Sequence, residues 1–330
     1  MTSTSYNGTG LDYAKPMSEI GQNRGSAVAA LFVNSKPPVS FQIHHGMIDV
    51  LADHLDAILR SSKLSSPKLP VFSLILNTQG GNIPAAIGMV SVIREYAQTF
   101  EVIVPHEALS AGTVIALGAD RIIMTRNARL SQPDPSIVRK FKGYYIPAAA
   151  ADIETFFSSP IFTEDQKAEA LDKLLSKFGP ISIGQLLRSQ RLVRRTLSEY
   201  LDRTIEDSSQ RERTLQFLMG TESPHDATFY REQAKATLGL PIEYANEQLE
   251  VHCSQLLIAM DRYFKVPPLA EYSASNPAYT DVPVSCFSVL SPQYGRSSLN
   301  GVLNVQKNET GVVYRGNASC LLLQHCSFGK

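Results

Sequence analysis

The sequence lacks a net charge, a long apolar run and closely spaced cysteines. Lysine plus arginine and aspartate plus glutamate both total 31, so the overall field gives no reason to expect a nucleic acid or an anionic membrane as a partner. No apolar run approaches the roughly 20 residues that cross a bilayer; the best covers only residues 27–33. The four cysteines form no close pair, which argues against zinc knuckles and a disulfide scaffold.

The length and composition are those of an ordinary globular chain. With 330 residues, of which 43% are hydrophobic and 19% charged, the chain can bury one large core, or one core plus a smaller appendage. Residues 1–25 are polar and turn-rich, without the basic start and apolar centre of a secretory signal. The sequence therefore predicts a cytoplasmic protein with a flexible N-terminus over residues 1–25.

Short apolar runs alternate with amphipathic runs from residue 26 to about residue 135, which is typical of strands joined by crossover helices. Predicted strands are 27–34, 71–77, 100–104 and 121–124. Predicted helices are 47–60, one that follows the N-cap residue Asn82, and 113–117. Further helices are predicted at about 146–158, 163–178, 181–206 and 227–238. The fold class is therefore α/β with a helical C-terminal part.

The composition changes again near residue 265, after which proline, serine, asparagine and tyrosine dominate. This change predicts an appended tail over residues 265–330. Two stretches, 311–314 and 320–323, have the character of short β pieces within it.

Two turns at the ends of successive predicted strands could carry chemistry. Gly80-Gly81 follows the strand VFSLILN, and Ser110-Ala111-Gly112 follows the strand at 100–104. In an open α/β sheet ligands bind beyond the carboxyl ends of the strands. A diglycine step exposes backbone N–H groups, and a serine can attack a carbonyl, so together they would suit acyl transfer. Each turn also has a plain interpretation, a strand-to-helix turn for Gly80-Gly81 and a helix N-cap for Ser110.

Four segments resemble the serine dehydrogenase proteinase family, which groups with signal peptide peptidase A and the Clp proteolytic subunit in the Clp/crotonase fold. The segments are LILNTQGGNIPAA, VPHEALSAGTVIALGADRIIM, NARLSQPDP and SPHDATFYREQAKATLGLPIE. The resemblance covers roughly residues 27–262. It implies a Clp/crotonase-like core over residues 26–264, with a mainly parallel sheet flanked by helices. It also implies a homo-oligomer and no cofactor.

The same resemblance assigns roles to the two turns. Ser110 falls on the nucleophile. The N–H groups of Gly81 and Ala111 fall on the oxyanion hole, and Gly80 shapes the turn.

The general base is not settled by the resemblance. Ser131 and Gln132 occupy the neighbourhood of the histidine in the Clp subunit, so a Clp-type base is absent. Signal peptide peptidases use a lysine from a later segment, for which this chain offers Lys140, Lys142, Lys167 and Lys173.

Two histidines are the favoured candidates, because histidine titrates near neutral pH whereas a lysine must first be desolvated. His225, followed by Asp226, falls close to the position of the triad aspartate in the Clp subunit and is the first choice. His106, four residues before Ser110, is the second. The His225-Asp226 pair could equally mark the start of a helix.

The sequence thus predicts a serine peptidase that acts on peptides or unfolded protein. The alternatives are a catalytically inactive scaffold, suggested by the missing Clp-type histidine and the tail, and a crotonase-like acyl-CoA hydratase or thioesterase. No metal site is predicted: His44, His45 and His54 lack partners at a recognisable spacing, which favours a structural role. Asp134, between two prolines, is interpreted as part of a rigid turn.

Overall fold

A computed structural model describes residues 13–35, 41–141, 144–220, 227–264, 279–292, 295–308, 311–314 and 319–326. The helices are α1 (Ala14–Arg24), α2 (Gly46–Ser61), α3 (Ile83–Tyr96), α4 (Ala111–Leu117), α5 (Ala150–Ser158), α6 (Glu164–Phe178), α7 (Pro180–Thr204), α8 (Ser208–Leu218) and α9 (Glu247–Tyr263). A π-helical turn covers Gln233–Thr237. No helix within these described ranges combines the length and the apolarity that a membrane span requires.

The strands form one large sheet and two small ones. They are β1 (Ala27–Val33), β2 (Leu69–Asn77), β3 (Ala97–Val104), β4 (Glu107–Ala108), β5 (Arg121–Met124), β6 (Arg129–Ser131), β7 (Ser136–Phe141), β8 (Tyr144–Ala149), β9 (Thr228–Tyr230), β10 (Ile242–Tyr244), β11 (Tyr279–Ser291), β12 (Gly295–Asn308), β13 (Gly311–Tyr314) and β14 (Ser319–Cys326). The large sheet has the order β10-β5-β3-β2-β1-β11-β12-β13, with β14 also paired to β12. The small sheets are β4-β6-β9 and β7-β8.

The core of the large sheet is parallel and covered on both faces. Strands β10, β5, β3, β2 and β1 pair in parallel. Side chains alternate between the faces along each strand: Leu74 and Leu76 pack towards α2 and α3, whereas Ile75 packs towards α1 and α9. Two-sided burial explains why these strands are continuous apolar runs in the sequence. The predicted α/β class, with a mainly parallel core sheet, is confirmed.

Three sequence-based predictions need correction. A flexible N-terminus is wrong for Ala14–Arg24, which forms α1 because Met17 and Ile20 bury one stripe of it. An appended tail is wrong for β11, which pairs antiparallel with β1 and so continues the central sheet. The helix at 227–238 is wrong at its start, because Thr228–Tyr230 pairs with β6 instead. The two predicted β pieces of the tail correspond to β13 and β14.

A buried ion network fastens α1 to the sheet. Arg24, the last residue of α1, binds Glu101 of β3 at 2.9 Å and also binds Glu243 of β10. The Glu101 side chain is only 2% exposed, and it also accepts hydrogen bonds from Ser73 and contacts Arg121 at 3.2 Å. Burial acts to lower the pKa of Arg24, but the hydrogen bonds to Glu243 and Glu101 outweigh it and raise this pKa. Arg24 therefore stays charged.

We expect Arg24→Ala to lower the free energy of unfolding by about 3 kcal/mol, because it leaves the buried Glu101 carboxylate with one cation fewer. Lys15→Ala is the matched control on the same helix. Its pair with Glu19 is solvent-exposed and 4.0 Å long, so its loss is expected to cost less than about 1 kcal/mol. Urea unfolding measures both variants, and equal costs would contradict this account of the network.

Candidate active site

The chain segments that follow β2 and β3 run side by side. The Thr78 N–H donates to Glu107 O at 2.9 Å, and the Leu109 N–H donates to Thr78 O at 3.0 Å. These two bonds form a parallel bridge between Thr78 and Ala108. Since β2 and β3 are neighbours in the sheet, the bridge brings the two turns predicted from the sequence to the same edge.

Gly80 lies directly against Ser110. A Cβ atom on Gly80 would lie 2.8 Å from Ser110 Cβ and 2.8 Å from Leu109 O, and the Gly80 φ angle is +110°. Gly81 has a φ of +143°, and a Cβ there would lie 2.4 Å from Ile43 N. Both positions therefore require glycine, for space and for backbone conformation.

The start of α4 is packed equally closely. A Cβ on Gly112 would lie 2.6 Å from Thr78 Cγ2, and the Gly112 N–H donates to Leu109 O at 2.7 Å. The absence of a side chain at Gly112 thus lets α4 approach the Thr78 bridge. This approach sets the distance between the helix N-terminus and the diglycine turn.

Ser110 has a strained backbone. Its φ is +50° and its ψ is −113°, and Lys63 is the one other non-glycine residue in the described ranges with a positive φ. Such a conformation costs on the order of 1–3 kcal/mol. Ser110 occupies the N-cap position of α4, but no capping hydrogen bond from its side chain is found among the described residues. The side chain is half-buried, so the plain N-cap interpretation does not account for this serine.

Two backbone N–H groups flank this serine. The Ile43 N–H donates to Gly80 O at 2.8 Å and the Asn82 N–H donates to Ile43 O at 2.9 Å, so the Gly81 N–H points away from Ile43. Ala111 is the first residue of α4, where N–H groups lack partners within the helix. Within the described part of the chain, no protein atom accepts a hydrogen bond from either N–H. Such groups can bind an anionic oxygen.

The first candidate base, His225, lies outside the described residues, as does Asp226. The residues on either side of that gap are described. On one side, a Cβ on Gly220 would lie 3.3 Å from Gln132 Oε1. On the other side, Thr228 pairs with Ser131 across β6 and β9.

The second candidate, His106, has a 42% exposed side chain. Its Nδ1 lies 3.9 Å from Glu107 Oε2, which is bound by Arg129 at 2.7 Å. That hydrogen bond from Arg129 to Glu107 raises the pKa of Arg129. No hydrogen bond joins His106 to Ser110 within the described ranges.

Of the four candidate lysines, two form ion pairs and two have side chains outside the described part of the chain. Lys167 and Lys173 form ion pairs with Glu164 at 3.1 Å and Glu169 at 2.5 Å, all on α6. The side chains of Lys140 and Lys142 lie outside the described part of the chain. The identity of the base therefore stays a prediction.

Two hydroxyl residues that the sequence did not single out as functional support the serine turn. The Ser110 N–H donates to Ser131 Oγ at 2.8 Å. The Ser131 N–H donates to Thr113 Oγ1 at 3.1 Å, and that hydroxyl donates to Ala108 O at 2.7 Å. Ser131 and Thr113 are buried. The sequence places Ser131 near the position of the Clp-type histidine, but it does not indicate that either residue supports the serine turn, because they meet Ser110 and Ala108 only through the pairing of strands in the fold.

The remaining polar residues named from the sequence have structural partners. His54 is fully buried in α2, with its two ring nitrogens 2.9 Å and 3.0 Å from the hydroxyls of Ser291 and Ser297. His44 Nδ1 accepts from the Gly46 N–H at 3.0 Å; burial, and then the neighbouring His45, lower the pKa of His44. Asp134 Oδ1 accepts from the backbone of α5 at 3.2 Å. The described residues contain no cluster suited to a metal ion.

The residues at this edge of the sheet lie in a segment that matches known proteins. Residues 10–151, which include both turns, match the model of the ClpP-like SDH-type serine proteinases. The resemblance to serine dehydrogenase proteinases that the sequence motifs indicate is thereby confirmed for residues 10–151.

The chain also matches individual proteins. Two uncharacterized proteins of Methanocaldococcus jannaschii are 34% identical over 123 residues and 32% identical over 139 residues. These matches cover 37% and 42% of this chain, and 42% and 44% of the relatives. The chain therefore spans less than half the length of the curated relatives it matches.

Two solved structures of proteases are among those to which the chain shows similarity. A mutant of the membrane-bound stomatin-specific protease 1510-N is 15% identical, with a TM-score of 0.40 and coverage of 66% of this chain and 79% of that chain. ClpP1 from Listeria monocytogenes is 13% identical, with a TM-score of 0.39 and coverage of 70% and 98%.

We expect Gly80→Ala to lower the free energy of unfolding by about 2 kcal/mol or more, because the added methyl meets backbone and Ser110 at a positive φ. Gly184→Ala is the matched control. Gly184 is an exposed residue inside α7, and a Cβ there would meet nothing within 4 Å, so this variant is expected to gain about 0.5–1 kcal/mol. Urea unfolding measures both; a neutral Gly80→Ala would contradict the close packing of the two turns.

Proposed function

We propose that this chain is a serine peptidase that cleaves peptides or unfolded protein. The observation that carries the proposal is the strained turn at Ser110, whose Cβ lies against Gly80. The match of residues 10–151 to the model of a serine proteinase family supports it. Strain of this kind clusters at functional sites, where it presents a reacting group.

In the proposed reaction, Ser110 Oγ forms a bond to the scissile carbonyl carbon while the base takes the hydroxyl proton. The carbonyl oxygen becomes an oxyanion, which accepts hydrogen bonds from the Gly81 and Ala111 N–H groups. The base then gives its proton to the leaving amine, and the C–N bond breaks. Water then attacks the acyl carbonyl carbon while the base takes a proton from it. The C–O bond to Ser110 breaks as the base returns that proton to Ser110 Oγ, which restores the serine. Gly80 contributes by allowing the close approach of the two turns.

His225 is our proposed base, with Asp226 as its orienting partner. It is three residues from Thr228, and three residues of chain span at most about 10 Å. Thr228 pairs with Ser131, and Ser131 is hydrogen-bonded to the Ser110 backbone. The chain length between His225 and the serine turn is therefore short, which supports His225 as the base.

We further propose that the protein is a cytoplasmic homo-oligomer without a cofactor, with no nucleic acid or membrane as a partner. Several large apolar side chains on α6 and α7 are exposed, including Leu171, Ile181 and Leu187. A second copy of the chain could cover this surface. Sedimentation velocity at several concentrations measures the oligomeric state, and a monomer throughout would argue against this part of the proposal.

The first test uses Ser110→Ala and a fluorophosphonate probe. We expect the wild-type chain to be labelled at residue 110 and the variant to lose labelling, with peptide hydrolysis reduced at least about a thousandfold. Ser91→Ala, which alters an exposed serine on α3, should label at the wild-type rate. A wild-type chain that never labels would favour the inactive scaffold. Acyl-CoA turnover that survives Ser110→Ala would favour the hydratase.

The second test identifies the base by its pH dependence. We expect His225→Gln to slow labelling of Ser110 by about a hundredfold or more and to remove the rise in rate near pH 6.5. His106→Gln should slow labelling less than about threefold. His252→Gln is the control, because His252 on α9 binds Glu19 on the opposite side of the sheet. If His225→Gln keeps the wild-type profile, the base is one of the other candidates.

A further inference from the structure

We infer that Ser131 is a positioning residue for the proposed peptidase: its hydroxyl oxygen holds the Ser110 N–H and so fixes the turn that presents the nucleophile. The inference rests on the proposed function, because a positioning role has meaning only if Ser110 reacts. The two atoms are 2.8 Å apart, and Ser131 is 5% exposed. Water therefore has little access to replace this acceptor.

The positive φ of Ser110 must be imposed by its surroundings, since a serine does not favour it. Among the described residues, two hydrogen bonds act on the backbone of residue 110 itself. Its carbonyl accepts from the Val114 N–H at 3.2 Å, which is an ordinary bond of α4. Its N–H donates to Ser131 Oγ. Ser131 is thus the side chain that binds the backbone N–H of the strained residue.

The Ser131 hydroxyl is itself held in place. The backbone of β6 pairs with β4 on one side and with β9 on the other. The Ser131 N–H donates to Thr113 Oγ1, and Thr113 donates onward to Ala108 O. An acceptor anchored through three strands and one helix can hold a strained neighbour, whereas a mobile side chain could not.

The hydrogen bond from the Ser110 N–H to Ser131 Oγ also decides which N–H groups are free to bind the oxyanion. Because the Ser110 N–H is committed to Ser131, the nucleophile's own amide is not available to the substrate. The N–H groups of Gly81 and Ala111 remain. Loss of the Ser131 oxygen should therefore both relax the turn and release a competing donor.

The experiment compares Ser131→Ala with Ser131→Thr, which retains the hydroxyl oxygen. We expect Ser131→Ala to slow fluorophosphonate labelling, per folded molecule, by about tenfold, and Ser131→Thr to restore most of the rate. The pH dependence of the labelling rate should keep its shape in both variants, since neither substitution alters the base. A changed shape would mean that Ser131 takes part in proton transfer, and would overturn the positioning role.

Ser73→Ala separates positioning from a loss of stability. Ser73 is a fully buried serine of β2 whose hydroxyl donates to Glu101 at 2.9 Å. We expect Ser73→Ala to lower the melting temperature and leave the labelling rate of the folded protein unchanged. Equal slowing of labelling in Ser73→Ala and Ser131→Ala would overturn the inference. If Ser131→Ala does not fold, Ser131→Cys keeps a similar volume with a weaker acceptor and should show the same slowing.

Hydrogen exchange at the Ser110 amide tests the hydrogen bond to Ser131 without relying on the reactivity of Ser110. We expect this amide to exchange faster in Ser131→Ala than in wild type, and at the wild-type rate in Ser73→Ala. Unchanged exchange together with unchanged labelling would overturn the inference. A wild-type chain that does not label would defeat the peptidase proposal, and the exchange rates would still show whether Ser131 holds this amide.

Discussion

The contact between Gly80 and Ser110 is the constraint on which the candidate site depends. It requires that β2 and β3 be neighbours in a parallel sheet, because only then do the segments that follow them leave the same edge. It also requires two residues without side chains, Gly80 next to the serine and Gly112 next to Thr78. The sheet brings the turns to one place, and the glycines decide how closely they approach.

Polar groups have different roles on the face covered by α1 and α9 and at the carboxyl edge of the sheet. On the face covered by α1 and α9, an ion pair between Arg24 and the buried Glu101 carboxylate fastens the first helix to the sheet. At the carboxyl edge, the groups around Ser110 are backbone amides and the hydroxyls of Thr78, Thr113 and Ser131. Charge thus stabilises the scaffold, whereas neutral hydrogen bonds with fixed geometry shape the serine turn.

Much of the central fold could be predicted from the sequence. Strands β1 and β2 are buried on both faces and therefore appear as unbroken apolar runs, and Asn82 caps α3 through a 2.8 Å bond to the Ala85 N–H as its residue type indicates. Helix α1 could not be predicted, because its apolar stripe is short and is buried only by packing against α9 and the sheet. Strand β9 was mistaken for helix, because pairing with β6 overrides the local pattern.

The candidate site was predictable in part, and the limit has a physical basis. Ser110 and the diglycine lie in contiguous motifs, so their residue types and spacing are visible along the chain. Ser131 acts on Ser110 from 21 positions away, through a strand register that no local pattern encodes. The Ser131, Thr113 and Thr78 hydroxyls that bind this turn are neutral groups, so their hydrogen bonds do not depend on a titrating charge. A pH dependence of the proposed reaction would therefore report the base, and its midpoint would separate a histidine from a lysine without disturbing the geometry that holds Ser110.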